Sequence, residues 1–212
     1  MLGLQGLKTL GAQCFYGLEA LGVIPMVNAK EYIKHVACLE SFWTYDIENR
    51  LSVAPALELL GKRNGTRSVL LTCNTIDELK FNLDIVQHMR GYRILHLAFH
   101  GYPGGIYMPD LAINMETLAS FMGKGFRNWI IFFDSCRTMK VGKDRILDFI
   151  STTEVKMVIG YKREVNWLDS TALDLLILNW LQFYKDMRKF WKRFRKAYRD
   201  MVGISGLDVY HK

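Results

Sequence analysis

Cysteine is scarce and scattered. The four residues, at positions 14, 38, 73 and 136, show no close pairing, so neither a zinc site nor a disulfide framework is suggested. Cys38 and Cys73 fall in apolar runs and read as small buried hydrophobes. This usage fits a reducing cytoplasm. Long hydrophobic runs are also missing. The longest uncharged apolar stretch, Leu175 to Tyr184, is about half of the roughly 18–20 residues that cross a bilayer. The first 26 residues are apolar and glycine-spotted, but Lys8 and Glu19 interrupt them and no small-residue cleavage site follows, so no signal peptide is expected. They read as an extension over 1–34 that forms a helical flap, or as upstream chain with the working start at Met26. Internal repeats and low-complexity linkers are absent as well. What remains is one domain over 35–212, with 50% hydrophobic and 23% charged residues, an ordinary globular balance.

The charge is uneven. Eight Lys or Arg face a single Asp between Lys185 and Arg199, which equals the +7 of the whole chain. Met187, Phe190, Trp191, Phe194, Tyr198 and Met201 recur there at helical spacing. A basic helix over 184–201 is therefore expected, packed by its aromatic face with its cations in solvent. The same pattern also suits an acidic partner or an anionic membrane through 185–199. Nucleic acid is not expected, because no recognised module surrounds the helix.

Strand-like runs alternate with helical ones. Val36–Leu39, Ser68–Thr72, Arg93–Phe99, Ile130–Phe133 and Lys156–Gly160 read as strands, and Leu207–Tyr210 as an edge strand. Helices are expected after Ser52, from Thr75 with Glu78 as a capping box, over Met115–Met122, around Ile146–Ile150, and from Ser170. Pro103-Gly104-Gly105 and Pro109-Asp110 punctuate a short excursion. The alternation predicts an α/β/α sandwich whose mainly parallel sheet has five to six strands, with helices on both faces.

Two strands end in chemistry. One runs Ile94-Leu-His-Leu-Ala-Phe99 into His100-Gly101. Another runs Ile130 to Phe133 into Asp134-Ser135-Cys136-Arg137, 36 positions after the histidine. Open α/β sheets place their sites at the carboxyl ends of strands. A thiol and an imidazole there make a candidate nucleophile and base. His96, inside its strand, reads as a satisfied core histidine.

A hydrophobic strand ending in His-Gly, followed by one ending in a small residue and Cys, resembles the caspase-like cysteine peptidases. The animal caspase signature is Gln-Ala-Cys-Arg-Gly with its histidine about 50 residues upstream. Here Gln-Ala and the final Gly are missing and the spacing is shorter, so the compact CHAT-type and metacaspase-like proteins of bacteria are the better match. The resemblance implies a caspase-like fold and a cysteine endopeptidase using Cys136 and His100, with the N–H groups of Gly101 and Cys136 as oxyanion hole. It implies no cofactor and no metal. Asp134 resembles the metacaspase acid that helps bind Lys or Arg before the cut; the alternative is that it only caps a turn. Glu40, Asp46, Tyr161, Trp167 and Asp169 would help line the substrate cleft. The resemblance further implies a bacterial regulatory or defence setting with a specific protein substrate, such as a pore-forming effector encoded nearby. A catalytically silent scaffold and a different Cys136-dependent hydrolase or transferase are the rival readings.

Overall fold

A computed structural model describes residues 30–44, 46, 48, 50–62 and 65–212. The reading of residues 1–29, including Cys14, lies outside the described residues. Five parallel strands form most of one sheet: β1 (His35–Glu40), β2 (Ser68–Thr72), β3 (Tyr92–Ala98), β7 (Ile130–Asp134) and β8 (Met157–Tyr161). The sixth strand, β9 (Leu207–His211), runs antiparallel to β8 at the edge. Spatial order is β2-β1-β3-β7-β8-β9.

Strand side chains alternate strictly between two cores. Ala37, Leu39, Leu95, Leu97, Ile131 and Phe133 pack under α2 (Ile76–Gln87), α3 (Met115–Met122) and α4 (Lys143–Thr153). Val36, Cys38, Ile94, Ile130, Phe132 and Ile159 pack under α1 (Ala54–Gly61), α5 (Trp167–Leu181), α6 (Met187–Ala197) and α7 (Arg199–Ser205). The expected α/β/α sandwich is the fold observed. Central strands buried on both faces explain why their sequence reads as continuous apolar runs. Cys38 and Cys73 are fully buried, and burial pushes the Cys73 thiol up to about 12.

Local signals account for most helix starts. At α2 the Thr75 hydroxyl accepts from Glu78 N and the Glu78 side chain accepts from Thr75 N, so the capping box is present. Asn166 caps α5, which begins at Trp167, three residues before the expected start, and its side chain accepts from Leu168 N. The predicted basic helix is two helices, α6 and α7, because the chain breaks from helical geometry at Tyr198. No helix among the described residues is long and apolar enough to cross a membrane.

The excursion after His100 holds more order than its glycines suggested. β4 (His100–Tyr102), β5 (Gly105–Met108) and β6 (Leu111–Asn114) form an antiparallel sheet. Its apolar side, Ile106, Met108 and Ile113, joins the α2–α3–α4 core. The chain reverses direction across the sheet between β1 and β3, with α1 and α2 on opposite faces. Carboxyl ends of β1, β3 and β7 are therefore brought together at a topological switch point.

Candidate active site

His100 opens β4 two residues beyond the end of β3, and Cys136 lies two residues beyond β7. The registers pair Ala98 with Asp134, so neighbouring strands deliver both groups to the same edge. The two turns are in direct contact. A Cβ added to Gly101 would come within 2.9 Å of Cys136 N and 2.6 Å of Thr138 Oγ1, and closer still to Cys136 O. Glycine is required there by close backbone approach, since its φ is not in the left-handed region. Buried Thr138 fastens the junction: its hydroxyl donates to Gly105 O at 2.9 Å and lies 2.7 Å from Ser135 Oγ. Gly104 N donates to Thr138 O at 3.0 Å.

The histidine's tautomer follows from its partner. His100 Nε2 lies 2.9 Å from the carbonyl oxygen of Trp43. A carbonyl only accepts, so Nε2 carries the proton and a neutral ring keeps its lone pair on Nδ1. The Trp43 ring meets the imidazole edge-on at 5.4 Å. The loop after β1 is in turn held by Glu40, whose carboxylate accepts from Trp43 Nε1 (3.0 Å), Val53 N (2.8 Å) and Ser52 Oγ (2.6 Å).

Cys136 is half-buried. Its sulfur accepts from Val165 N at 3.4 Å and donates to Val165 O at 3.7 Å. The loop carrying Val165 runs beside the Cys136 turn, with Arg137 N on Arg163 O (3.1 Å) and Met139 N on Tyr161 O (3.0 Å). Arg137 takes a left-handed φ of 60° and pairs with Glu164 at 3.2 Å. A groove of about 360 Å³ opens beyond Val165, lined by Glu164, Asn166, Asp169, Leu173, Met201 and Ile204 among others. A second hollow of about 260 Å³ lies on the His100 side, against Phe42, Trp43, Tyr107 and Met108.

Not every expected site residue reaches a groove. Asp169 lines the first one. Trp167 is half-buried at the start of α5. Asp46 is exposed in the loop after β1 and accepts from Glu48 N at 3.0 Å. Asp134 and Tyr161 were expected at the cleft, but both side chains turn inward (3% and 0% exposed). Strand alternation is the cause. Asp134 shares a face with Phe132 and Tyr161 with Ile159, and α5 closes that face. On that face they meet His96 and Asp174. His96 Nε2 is 3.5 Å from Asp134 Oδ2 and 3.8 Å from Asp174 Oδ2, and the Tyr161 hydroxyl donates to Asp174 Oδ1. His96 is thus not the satisfied core histidine expected, since neither ring nitrogen has a hydrogen-bond partner. Burial and the neighbouring Asp134 push the Asp174 carboxyl well above the usual range. Burial alone lowers the His96 pKa, but Cys38, Asp134 and Asp174 together hold it well above its ordinary value. Asp174 was missed from sequence, although an aspartate inside a helix apolar nearly all round was a signal for it.

Comparison with curated proteins gives no match. Among solved structures the chain is similar to one titled "structure of pro-sf-caspase-1", at a TM-score of 0.52 and 12% identity, covering 85% of this chain and 87% of that one. That likeness establishes a caspase-like fold. The sequence from 33 to 211 matches the family of unknown function DUF6642, and the chain belongs to that family.

Proposed function

We propose that this protein is a cysteine endopeptidase with Cys136 as nucleophile and His100 as base. The observation that carries the reading is the contact of the His100-Gly101 and Ser135-Cys136 turns, with Nε2 of His100 fixed on the Trp43 carbonyl. That bond turns the basic Nδ1 of the ring to the other side, free to take the thiol proton. The sulfur then attacks the scissile carbonyl carbon, and the N–H groups of Gly101 and Cys136 hold the resulting oxyanion. Collapse breaks the C–N bond, and the imidazolium returns its proton to the leaving amine. A thioester remains, and water hydrolyses it with His100 again as base. No orienting acid is needed, since the backbone carbonyl already sets the tautomer.

The substrate's acyl side runs through the Glu164–Asp169 groove and its leaving side past Tyr107. Cleavage after Lys or Arg is part of the proposal. Glu164 and Asp169 stand on the exposed side of the groove, where carboxylates recognise a cation by charge-assisted hydrogen bonds. Asp134 reaches a substrate cation only if α5 shifts from the sheet. The test is labelling by peptidyl chloromethyl ketones. Lys and Arg reagents should modify the wild type once per chain, and Cys136→Ala should abolish labelling. Preference for Asp or Leu reagents would refute the specificity. An inert thiol, with no peptide cleaved, would favour the silent scaffold, a reading to which the Val165 bonds on the sulfur give some weight.

A further inference from the structure

Three elements that carry the candidate active site each send one metal-binding side chain to a common point beneath it: His96 from β3, Asp134 from β7 and Asp174 from α5. One ligand atom from each lies within 4.8 Å of the others. The residues are 1%, 3% and 2% exposed. Neither His96 ring nitrogen and not Asp174 Oδ2 has a hydrogen-bond partner. Unpaired polar atoms at such depth are costly, and here they converge.

Two features set this cluster apart from an ordinary buried ion pair. At 3.5 and 3.8 Å, the separations from His96 Nε2 to the two carboxylate oxygens are too long for hydrogen bonds, which fall at about 2.7–3.2 Å. They approach the edge of a coordination tetrahedron. Ligand atoms about 2.0–2.2 Å from a tetrahedral ion stand roughly 3.3–3.6 Å apart. The second feature is composition. Two carboxyl groups share one dry site, and among the described residues the ion-pair partner of both is His96 alone. A divalent cation takes both as ligands beside the imidazole.

We propose that His96, Asp134 and Asp174 bind one divalent transition-metal ion, zinc in the first instance, between the sheet and α5. An imidazole among the donors disfavours calcium and magnesium, which take oxygen ligands. The Tyr161 hydroxyl on Asp174 Oδ1 orients that carboxylate from outside the ligand set, as outer partners of metal ligands do. The ion acts as a clamp and takes no part in bond breaking. It joins the strand that ends in His100, the strand that ends in Asp134-Ser135-Cys136, and the helix that follows the Val165 loop. This inference is independent of the peptidase proposal.

The experiment uses the untagged full chain carrying Cys136→Ala and His100→Ala, so that the dyad cannot itself ligate. After stripping with a chelator, zinc is titrated in competition with a chromophoric chelator, and cobalt is added for spectroscopy. The expected result is one equivalent of zinc per chain, and a cobalt spectrum of nitrogen and oxygen ligands without a thiolate charge-transfer band. Zinc at a hundredfold excess over Kd should raise Tm by about 5–10 °C, and His96→Ala and Asp174→Asn should each weaken binding at least about tenfold. Failure to bind zinc at micromolar concentration overturns the proposal, as does binding that survives both substitutions or a cobalt thiolate band. Should both variants fail to fold, stoichiometry and the cobalt spectrum of the parent decide. Neither readout depends on peptide cleavage, so a metal-free but active protein and a metal-loaded but inert one are distinguishable outcomes.

Discussion

Gly101→Ala is the sharpest perturbation of the candidate active site, because it adds one carbon at the seam between the His100-Gly101 and Ser135-Cys136 turns. The new Cβ would stand 2.6 Å from Thr138 Oγ1 and 2.9 Å from Cys136 N, with Cys136 O nearer still. Relaxed contacts of carbon fall at about 3.5–4.0 Å, so one turn must retreat by roughly 1 Å. Rotation of a side chain cannot absorb this. Two of the three obstacles are backbone atoms of Cys136, and Thr138 is tied to Gly105 O and placed against Ser135 Oγ. Overpacking of this kind costs about 1–3 kcal/mol, which at this chain length lowers Tm by about 2–12 °C. The displacement acts on the spacing of imidazole and thiol and on an N–H expected to hold the oxyanion. A misplacement of about 1 Å in a reacting pair costs on the order of 100-fold in rate. Thiol labelling by a peptidyl chloromethyl ketone should therefore slow by about that factor, while the folded fraction at 20 °C, followed by circular dichroism, stays near that of wild type. Labelling at the wild-type rate with an unchanged Tm would refute the seam as described, and with it the argument that places both groups in one site.

Thr75→Ala removes a hydroxyl that accepts from Glu78 N and should cost about 1 kcal/mol in urea unfolding, with no effect on thiol reactivity. Tyr161→Phe strips the donor from buried Asp174 Oδ1 and should cost about 1–3 kcal/mol by the same assay; a neutral result would mean that this carboxylate has another partner. Lys34 is half-buried and donates to the carbonyls of Tyr32, Leu181 and Tyr184, and burial pulls its pKa from 10.5 to about 8. Above pH 8 the unfolded chain then holds this proton more tightly than the folded one, so stability gains with rising pH up to about 10.5. The wild type should gain on Lys34→Gln by up to about 3 kcal/mol over that window, and a difference flat in pH would contradict the burial of a neutral amine.

The sheet was legible because its central strands are apolar on both faces, a pattern that survives without any tertiary knowledge. β4, β5 and β6 were hidden behind Gly101, Pro103, Gly104 and Gly105, residues that punctuate turns elsewhere. Their order comes from elsewhere in the chain, through Thr138 and through Ile106, Met108 and Ile113 packing into a core built by α2 and α3. That Cys136 and His100 share one edge of the sheet was legible because each follows a recognisable strand. The direction of Asp134 followed from the same alternation, but that α5 closes its face did not. The break at Tyr198, the Val165 bonds on the sulfur and the Trp43 carbonyl on His100 are backbone matters, and side-chain identity carries little trace of them.

The two faces of the sheet differ in a way that stability alone does not explain. On the α2–α3–α4 side the inward strand residues are apolar. On the α5 side Glu40, His96, Asp134 and Tyr161 point inward from four different strands, and Asp174 points back at them from the helix. Each of these groups loses hydration on burial, and well-packed hydrophobic residues in place of a buried ion pair are often neutral or stabilising. The ionisable groups gather at the carboxyl ends of the strands, directly under the loops that bear Trp43, His100, Cys136 and Val165. Glu40 repays its desolvation by accepting three hydrogen bonds that fix the loop carrying Trp43, whose carbonyl sets the His100 tautomer. In the His96–Asp134–Asp174 group the Tyr161 hydroxyl serves only Asp174 Oδ1, and both His96 nitrogens and Asp174 Oδ2 lack a hydrogen-bond partner. An ion held between sheet and helix would supply one, and would tie the same three elements that set the positions of His100 and Cys136.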